Sequence, residues 1–453
     1  MLASVISVRL MTRHLGTGDW GAYSVVTAIT FVLVGSSEAG LTSLGLREGA
    51  TLDEMDRSRL LANILGLRIF LTLLGVVAAV IFALATGRDQ TIVLGVAIVG
   101  AGTLFTMTQQ TLAIKLSLEL RNTAIAALEL LRNLALAGTN IAFVLVGARL
   151  DWFYLAPALA GLTAIAAMLV FVRSRGSFRP RFEPSEWRRV LRGVLPYAIA
   201  GAVALLYFRV AQIAMNFVAS PTDTGIYGLA FRVIEVLGAI PSLVAITALP
   251  LLSRAAIAGR DRLQPMVQVL TESAAIAGIT LAFAVAAGAH LAIRVLGDAS
   301  YAGATPVLRI LAVGLAFTFP LAMLSILLLT LSSYRTLIVG GTAAAFISLA
   351  LTVLLVPRFG ARGAASATVV TEVLLMSFFL LSLAISDRSL VPRPQRTARA
   401  LVASVPAGVE LWLTLDSAAV FLPLLSVPIF VVSLFLLRAI PPELRDVARP
   451  LGS

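Results

Sequence analysis

The chain contains no cysteine and only two histidines, His14 and His290, which lie far apart. Disulfides, thiolate metal sites and a cysteine nucleophile are excluded, and no metal or cofactor is expected. Lysine is almost absent, since Lys115 is the sole lysine among 35 basic residues. Charge of either sign is scarce: Asp, Glu, Lys and Arg make up 13% of 453 residues, against about a quarter in soluble globular domains. The sequence has no Gly-rich phosphate loop, no HExxH and no paired external carboxylates of the kind that carry hydrolysis or group transfer. Nor is there an ATPase motif. Any energy input is an ion gradient, the membrane potential or mass action.

Long apolar runs fill the space that charge leaves. Hydrophobic residues make up 59% of the chain, and mean hydropathy is +0.97. The stretch 93–114, VLGVAIVGAGTLFTMTQQTLAI, has no charge at all. About 20 apolar residues wound as a helix match the hydrocarbon core of a bilayer, roughly 30 Å thick. Such runs occur at 1–12, 22–46, 60–86, 91–114, 122–147, 152–172, 194–218, 225–252, 267–296, 304–331, 336–356, 363–386, 399–415 and 418–438. The reading is an all-α polytopic membrane protein of about fourteen spans. Its first span is too short to cross, which places the expected native start upstream of Met1.

Positive charge sets the expected topology. The segment 173–192 carries seven arginines between two spans, which makes it cytoplasmic. Alternation puts 47–59, 115–121, 254–262, 387–399 and both chain ends on the same side. The phrases DWGAY (19–23) and DTGIY (223–227) then fall outside, 204 positions apart. A fixed offset over that length is the mark of an internal duplication. Later, VLVGARLDW (144–152) resembles LLVPRFGARGAA (354–365). Six spans per copy is an even number, so the copies are parallel repeats. The expected domains are a first six-helix bundle (1–172), a basic linker (173–193), a second bundle (194–386), a second basic linker (387–398), two added spans (399–440) and a cytoplasmic tail (441–453). Asp-x-Gly-x-Tyr is expected to shape the turn joining the first two helices of each bundle: Asp and Gly suit tight turns, and Tyr suits the membrane interface.

Four stretches carry a family likeness: RHLGTGDWGAYSVV (13–26), GLTSLGLREGA (40–50), TGIYGLAFRVIEVLGAIPSLVAITALPLLSR (224–254) and LGDASYAGATPVLRILAVG (296–314). In this order and spacing, over most of residues 1–386, the sequence resembles the polysaccharide flippases of the multidrug/oligosaccharidyl-lipid/polysaccharide exporter superfamily. The resemblance implies two six-helix bundles facing each other in a V, with extra helices at the end. It implies movement of undecaprenyl-pyrophosphate-linked oligosaccharide from the inner to the outer leaflet of a bacterial cytoplasmic membrane. It implies a polyprenyl-pyrophosphate-linked glycan and membrane lipids as partners, with polysaccharide biosynthesis enzymes as further candidates and no nucleic acid. A peptidoglycan-precursor flippase and a multidrug or cation exporter of the same superfamily are the alternatives. A membrane glycosyltransferase or polymerase is a distant one. The family's seventh span carries an acidic residue after Phe-Arg, where this chain has Ala211 and Gln212.

Charges within the spans are the candidate site residues, because the bilayer penalises them by about 2.5–3.5 kcal/mol each on insertion scales. A pyrophosphate calls for arginine, whose planar fork offers five N–H donors. Arg209, mid-span with no acidic residue within a turn in sequence, leads the substrate-binding set; Arg232, Arg9 and Arg68 complete it. Each has a plainer reading. Arg232 with Glu235, and Glu129 with Arg132, are i, i+3 pairs that can neutralise each other. Arg68 and Arg309 stand near span ends, from which they can snorkel to the interface. Glu38, in the small polar stretch VGSSEAGLTS, either carries a coupling proton or accepts hydrogen bonds in a helix contact. Glu235 and Glu372 are the other coupling-ion candidates. Glu272 is a further intramembrane charge, and His290 is expected near an external span end. Pro196, Pro241, Pro250, Pro306 and Pro320 are expected to kink their helices.

Overall fold

The computed structural model describes residues 2–38, 40–87, 89–173, 179–393, 395–414, 422–437 and 439. Among these residues all regular structure is helical and there is no strand. Ten helices are long and apolar enough to cross a membrane, so the chain is a multi-pass membrane protein. The α-helices among the described residues are, in order, α1 (Leu2–Leu33), α2 (Leu41–Gly49), α3 (Glu54–Ala85), α4 (Gln90–Leu118), α5 (Asn122–Leu145), α6 (Leu150–Phe153), α7 (Ala156–Arg173), α8 (Pro184–Val218), α9 (Pro221–Ala258), α10 (Arg260–Leu296), α11 (Ala304–Thr330), α12 (Tyr334–Ser386), α13 (Gln395–Thr414) and α14 (Ser426–Leu436). Within the ten, α1, the break after it and α2 form one continuous stretch, as do α6 and α7.

Two helices contain backbone breaks. Gly16 interrupts α1 at φ 69°, and Gly360 interrupts α12 at φ 54°. A straight helix of 53 residues would be about 80 Å long, far more than one crossing needs. The break at Gly360 lets α12 supply both expected spans, 336–356 and 363–386. The added helices α13 and α14 are shorter or less apolar than the ten. Residues 415–421 and the expected tail 441–453 lie outside the described residues.

The chain forms two compact units, residues 1–216 and 217–453. The division falls at the end of α8, past the basic segment 173–193. Residues 179–183 have no regular structure, and from Pro184 onward the chain is α8. In the first unit, one apolar cluster joins Val25, Val26 and Ile29 of α1 to Ala79, Val96 and Tyr154. A second joins Leu41 and Leu44 of α2 to Ile64, Leu67, Ile114, Val190 and Val194. In the second unit, α13 turns a face of Ala400, Ala403 and Ala407 onto Ile279 of α10 and Phe430 of α14.

Charged segments pair within each unit. In the first unit, segment 47–59 meets 173–192 through Glu48–Arg189 at 3.0 Å and Arg59–Glu183 at 2.8 Å. The Arg59 guanidinium holds the Glu183 carboxyl below the usual carboxylate range. In the second unit, Arg260 meets Asp387 at 3.0 Å.

The Asp-x-Gly-x-Tyr phrases are not turns. Each lies in the first turns of a helical segment, three residues after the residue that stops the preceding one. Ser220 caps α9: its hydroxyl accepts from the Asp223 backbone N–H at 3.0 Å and donates to Asp223 Oδ2 at 2.8 Å. Gly16 holds the corresponding place before Asp19. Asp223 Oδ1 also accepts from the Ala361 backbone N–H just past the Gly360 break, at 3.4 Å. Tyr227 is buried with its hydroxyl 3.1 Å from Thr368 Oγ1. Tyr23 stacks on Tyr154. The phrase starts a helix and pins it to a later one.

Candidate functional site at a broken membrane helix

The stretch VGSSEAG does not sustain a helix. Serine hydroxyls offer the backbone alternative bonds, and Ser36 Oγ takes the Val32 carbonyl at 2.5 Å. The α-helix ends at Leu33, and Gly35–Glu38 tighten into a 3₁₀ turn. Gly40 then adopts φ 72°, ψ 9° before α2 begins at Leu41. That conformation suits glycine. Space demands it too, because a Cβ on Gly40 would stand 2.5 Å from the Tyr197 ring of α8. Broken helices at membrane depth are tolerated where other groups satisfy the freed backbone. Here the Glu38 carboxylate does so: Oε2 accepts from the Gly40 N–H at 3.0 Å and Oε1 from the Thr42 N–H at 3.3 Å.

Helix α3 brings an arginine to this break. Its two faces are opposite in character. Phe70, Leu74, Val77 and Ile81 are exposed and apolar. Arg68, Thr72 and Gly75 point the other way and run antiparallel to residues 33–42. Gly75 packs so closely that a Cβ would be 2.6 Å from the Leu33 carbonyl oxygen. Thr72 Oγ1 lies 2.9 Å from Ser37 Oγ. Arg68 Nη2 donates to Thr42 Oγ1 at 2.9 Å and to Glu38 Oε1 at 3.3 Å. Arg68 is 0% exposed, whereas Glu38 is 37% exposed. Arg68 Nε and Nη1 are buried without a hydrogen-bond partner among the described residues. Arg68, for which snorkelling is the plainer reading, has no exposed surface. It is held inward by Gly75, which admits the break, and by Glu38.

Helix α8 lies along the other side of the same stretch, also antiparallel. A Cβ on Gly35 would touch Leu205 at 3.6 Å. Further along, Arg209 stands 4.7 Å above the Phe31 ring centroid, a cation–π distance. Arg209 Nη1 donates to Gln212 Oε1 at 2.8 Å, and Gln212 Nε2 donates to the Ser24 carbonyl at 3.1 Å. Arg209 is buried. Gln212, noted in the sequence only as a departure, is the residue that orients it. Phe31, under Arg209 of α8, and Glu38, beside Arg68 of α3, are seven residues apart in the chain.

The other sequence candidates lie elsewhere. Arg9 is exposed on α1. Arg232 and Glu235 pair at 2.8 Å on α9. Glu129 and Arg132 pair at 2.7 Å on α5, and the buried Gln109 of α4 donates to Glu129 at 3.3 Å. His290 is exposed on α10 and Arg309 is half-buried on α11. Glu372 is buried on α12, where Thr318 Oγ1 donates to Oε1 at 2.9 Å. Glu272 is buried on α10, where it accepts from Arg396 Nη1 of α13 at 3.1 Å and from Gln268 Nε2 at 2.6 Å. It stands 204 positions from Arg68, the offset of the duplicated phrases, and carries the opposite charge.

A family model described as "Polysaccharide biosynthesis protein" matches residues 1–256. A search of curated protein sequences finds no match. Among solved structures, the lipid II flippase MurJ in an inward closed conformation is similar at TM-score 0.77 and 13% identity, covering 99% of this chain and 97% of that one. An inward-facing multidrug resistance MATE family transporter of the MOP superfamily is similar at TM-score 0.70 and 14% identity, covering 86% and 94%. A MOP superfamily transporter from Pyrococcus furiosus is similar at TM-score 0.54 and 16% identity, covering 84% and 90%. At these identities the likeness establishes the fold.

Proposed function

This chain belongs to the polysaccharide biosynthesis protein family, and from that premise we propose that it flips a polyprenyl-pyrophosphate-linked oligosaccharide across the cytoplasmic membrane of a bacterium for surface polysaccharide assembly. It acts as a transporter and not as an enzyme, by alternating access. Both termini are cytoplasmic, and the two copies of the duplication form the two bundles. The observation that carries the reading is Arg68. A fully buried arginine beside a broken span, with two guanidinium nitrogens unbonded among the described residues, is costly in a membrane protein. Broken helices are where transporters of several folds gather substrate and coupling ions. Arginine's fork suits phosphate oxygens better than an organic cation. Arg68 and Arg209 are the headgroup donors, with Arg232 and Arg9 assisting. Glu38, Glu235 and Glu372 are the candidates for a coupling ion.

The test is the leaflet distribution of lipid-linked glycan in cells depleted of the protein. The reading expects build-up on the cytoplasmic face with loss of surface polysaccharide. Unchanged glycan export with altered sensitivity to cationic drugs would replace it with an exporter.

A further inference from the structure

The Glu38 carboxylate occupies a place lined by anion-accepting donors. Its surroundings are the N-terminus of α2, a nine-residue helix, with the Gly40 and Thr42 N–H groups directed at it. Helix N-termini bind phosphate readily because unsatisfied N–H groups and the helix dipole both favour an anion. The second contribution is independent of the helix. Arg68 comes from α3, is wholly buried, and reaches the same point through Nη2. Its Nε and Nη1 are buried and unbonded among the described residues.

Glu38 fills this place poorly. Its three contacts measure 3.0, 3.3 and 3.3 Å, while charge-assisted N–H···O bonds usually lie near 2.7–2.9 Å. The carboxylate spends one oxygen on Thr42 N–H and Arg68 Nη2 together and leaves the rest of the guanidinium unserved. A phosphate, with more acceptor oxygens in a tetrahedral array, can serve the backbone N–H groups and Arg68 Nη2 at once. Glu38 is also the exposed member of the pair, so the anion that holds the place is the one that can leave it.

We propose that Glu38 is an exchangeable occupant of a phosphate site formed by Gly40 N–H, Thr42 N–H and Oγ1, and Arg68, and that the diphosphate of the transported lipid displaces it. This rests on the flippase reading and adds a competitor to it. Glu38 neutralises Arg68 while the site is free of substrate. It also weakens headgroup binding enough to permit release.

The test uses the purified full chain in nanodiscs, with undecaprenyl diphosphate and, separately, inorganic pyrophosphate as probes. Glu38→Ala is expected to tighten binding of the lipid diphosphate at least tenfold and to slow release. Glu38→Gln, which keeps an oxygen for the backbone N–H groups and so guards against a folding defect, is expected to tighten it several-fold. Arg68→Met added to either variant is expected to remove the gain. Tightening with inorganic pyrophosphate alone would keep the site and assign it to a soluble phosphate. No tightening with either probe in both Glu38 variants, in folded protein, would overturn the proposal. A wild-type chain that flips lipid-linked glycan while its Glu38 variants bind no tighter would sink the competitor and leave the flippase standing.

Discussion

Removing Glu38 should cost the protein far more stability than removing Arg68, although both substitutions break the same ion pair. Arg68 is wholly buried, and among the described residues Glu38 is its one opposite charge; its other partner is the Thr42 hydroxyl. At 3.3 Å and an effective dielectric near 20, the gross attraction is about 5 kcal/mol. Glu38 is 37% exposed, so solvent screens part of this, and a loss of about 3 kcal/mol on Glu38→Ala is the working figure. Arg68→Met removes the buried charge along with the pair. The remaining Glu38 keeps two backbone N–H donors and its exposure, so this change should cost about 1 kcal/mol or less. The double variant should resemble Arg68→Met, with a coupling energy of about 2–3 kcal/mol. Equilibrium unfolding in mixed micelles titrated with a denaturing detergent would measure all four corners. Equal single-variant costs, or a double variant equal to their sum, would refute the argument that Arg68 is a trapped charge held by Glu38.

Three further expectations follow from named contacts. Gly40→Ala should lower stability by about 1–2 kcal/mol for its left-handed backbone, plus the clash with the Tyr197 ring, and the clash portion should vanish in a Tyr197→Ala background when the two are compared by unfolding. Glu272→Ala should loosen α13 from α10, because Arg396 loses its carboxylate; faster hydrogen exchange in 395–407 with unchanged exchange in α4 would show it. Arg209→Ala should abolish glycan transport while the protein still inserts, and Arg209→Lys should keep a fraction, since lysine cannot both stack on Phe31 and reach Gln212 as a planar fork does. Full transport by the alanine variant would remove Arg209 from the site.

The spans were legible because their signal is local. Twenty apolar residues read as a crossing wherever they stand, and the expected bounds of the spans between 60 and 386 lie close to those of α3 through α12. What escaped was set by register between helices. Arg68 and Glu38 are thirty positions apart, and nothing local to either says that α3 runs antiparallel to the break. The signal that could have found the pair was glycine: Gly75 lies seven residues after Arg68 on the same helical face, where a neighbouring backbone can approach. The helix start at Asp223 was open to reading, because Ser220 precedes it by three residues as in a capping box. Gln212 stands where the family has a carboxylate, and its bond to the Ser24 carbonyl, 188 positions away, has no local sequence signal.

The most direct test of the central claim is flipping in proteoliposomes holding the purified chain and a fluorescent undecaprenyl-pyrophosphate oligosaccharide, read as the fraction accessible to an external quencher over time. The account predicts equilibration between leaflets with wild-type protein and none with Arg68→Met, with a zwitterionic phospholipid of similar label left unflipped by both. Equal movement of the glycan lipid by wild type, Arg68→Met and protein-free vesicles would contradict it.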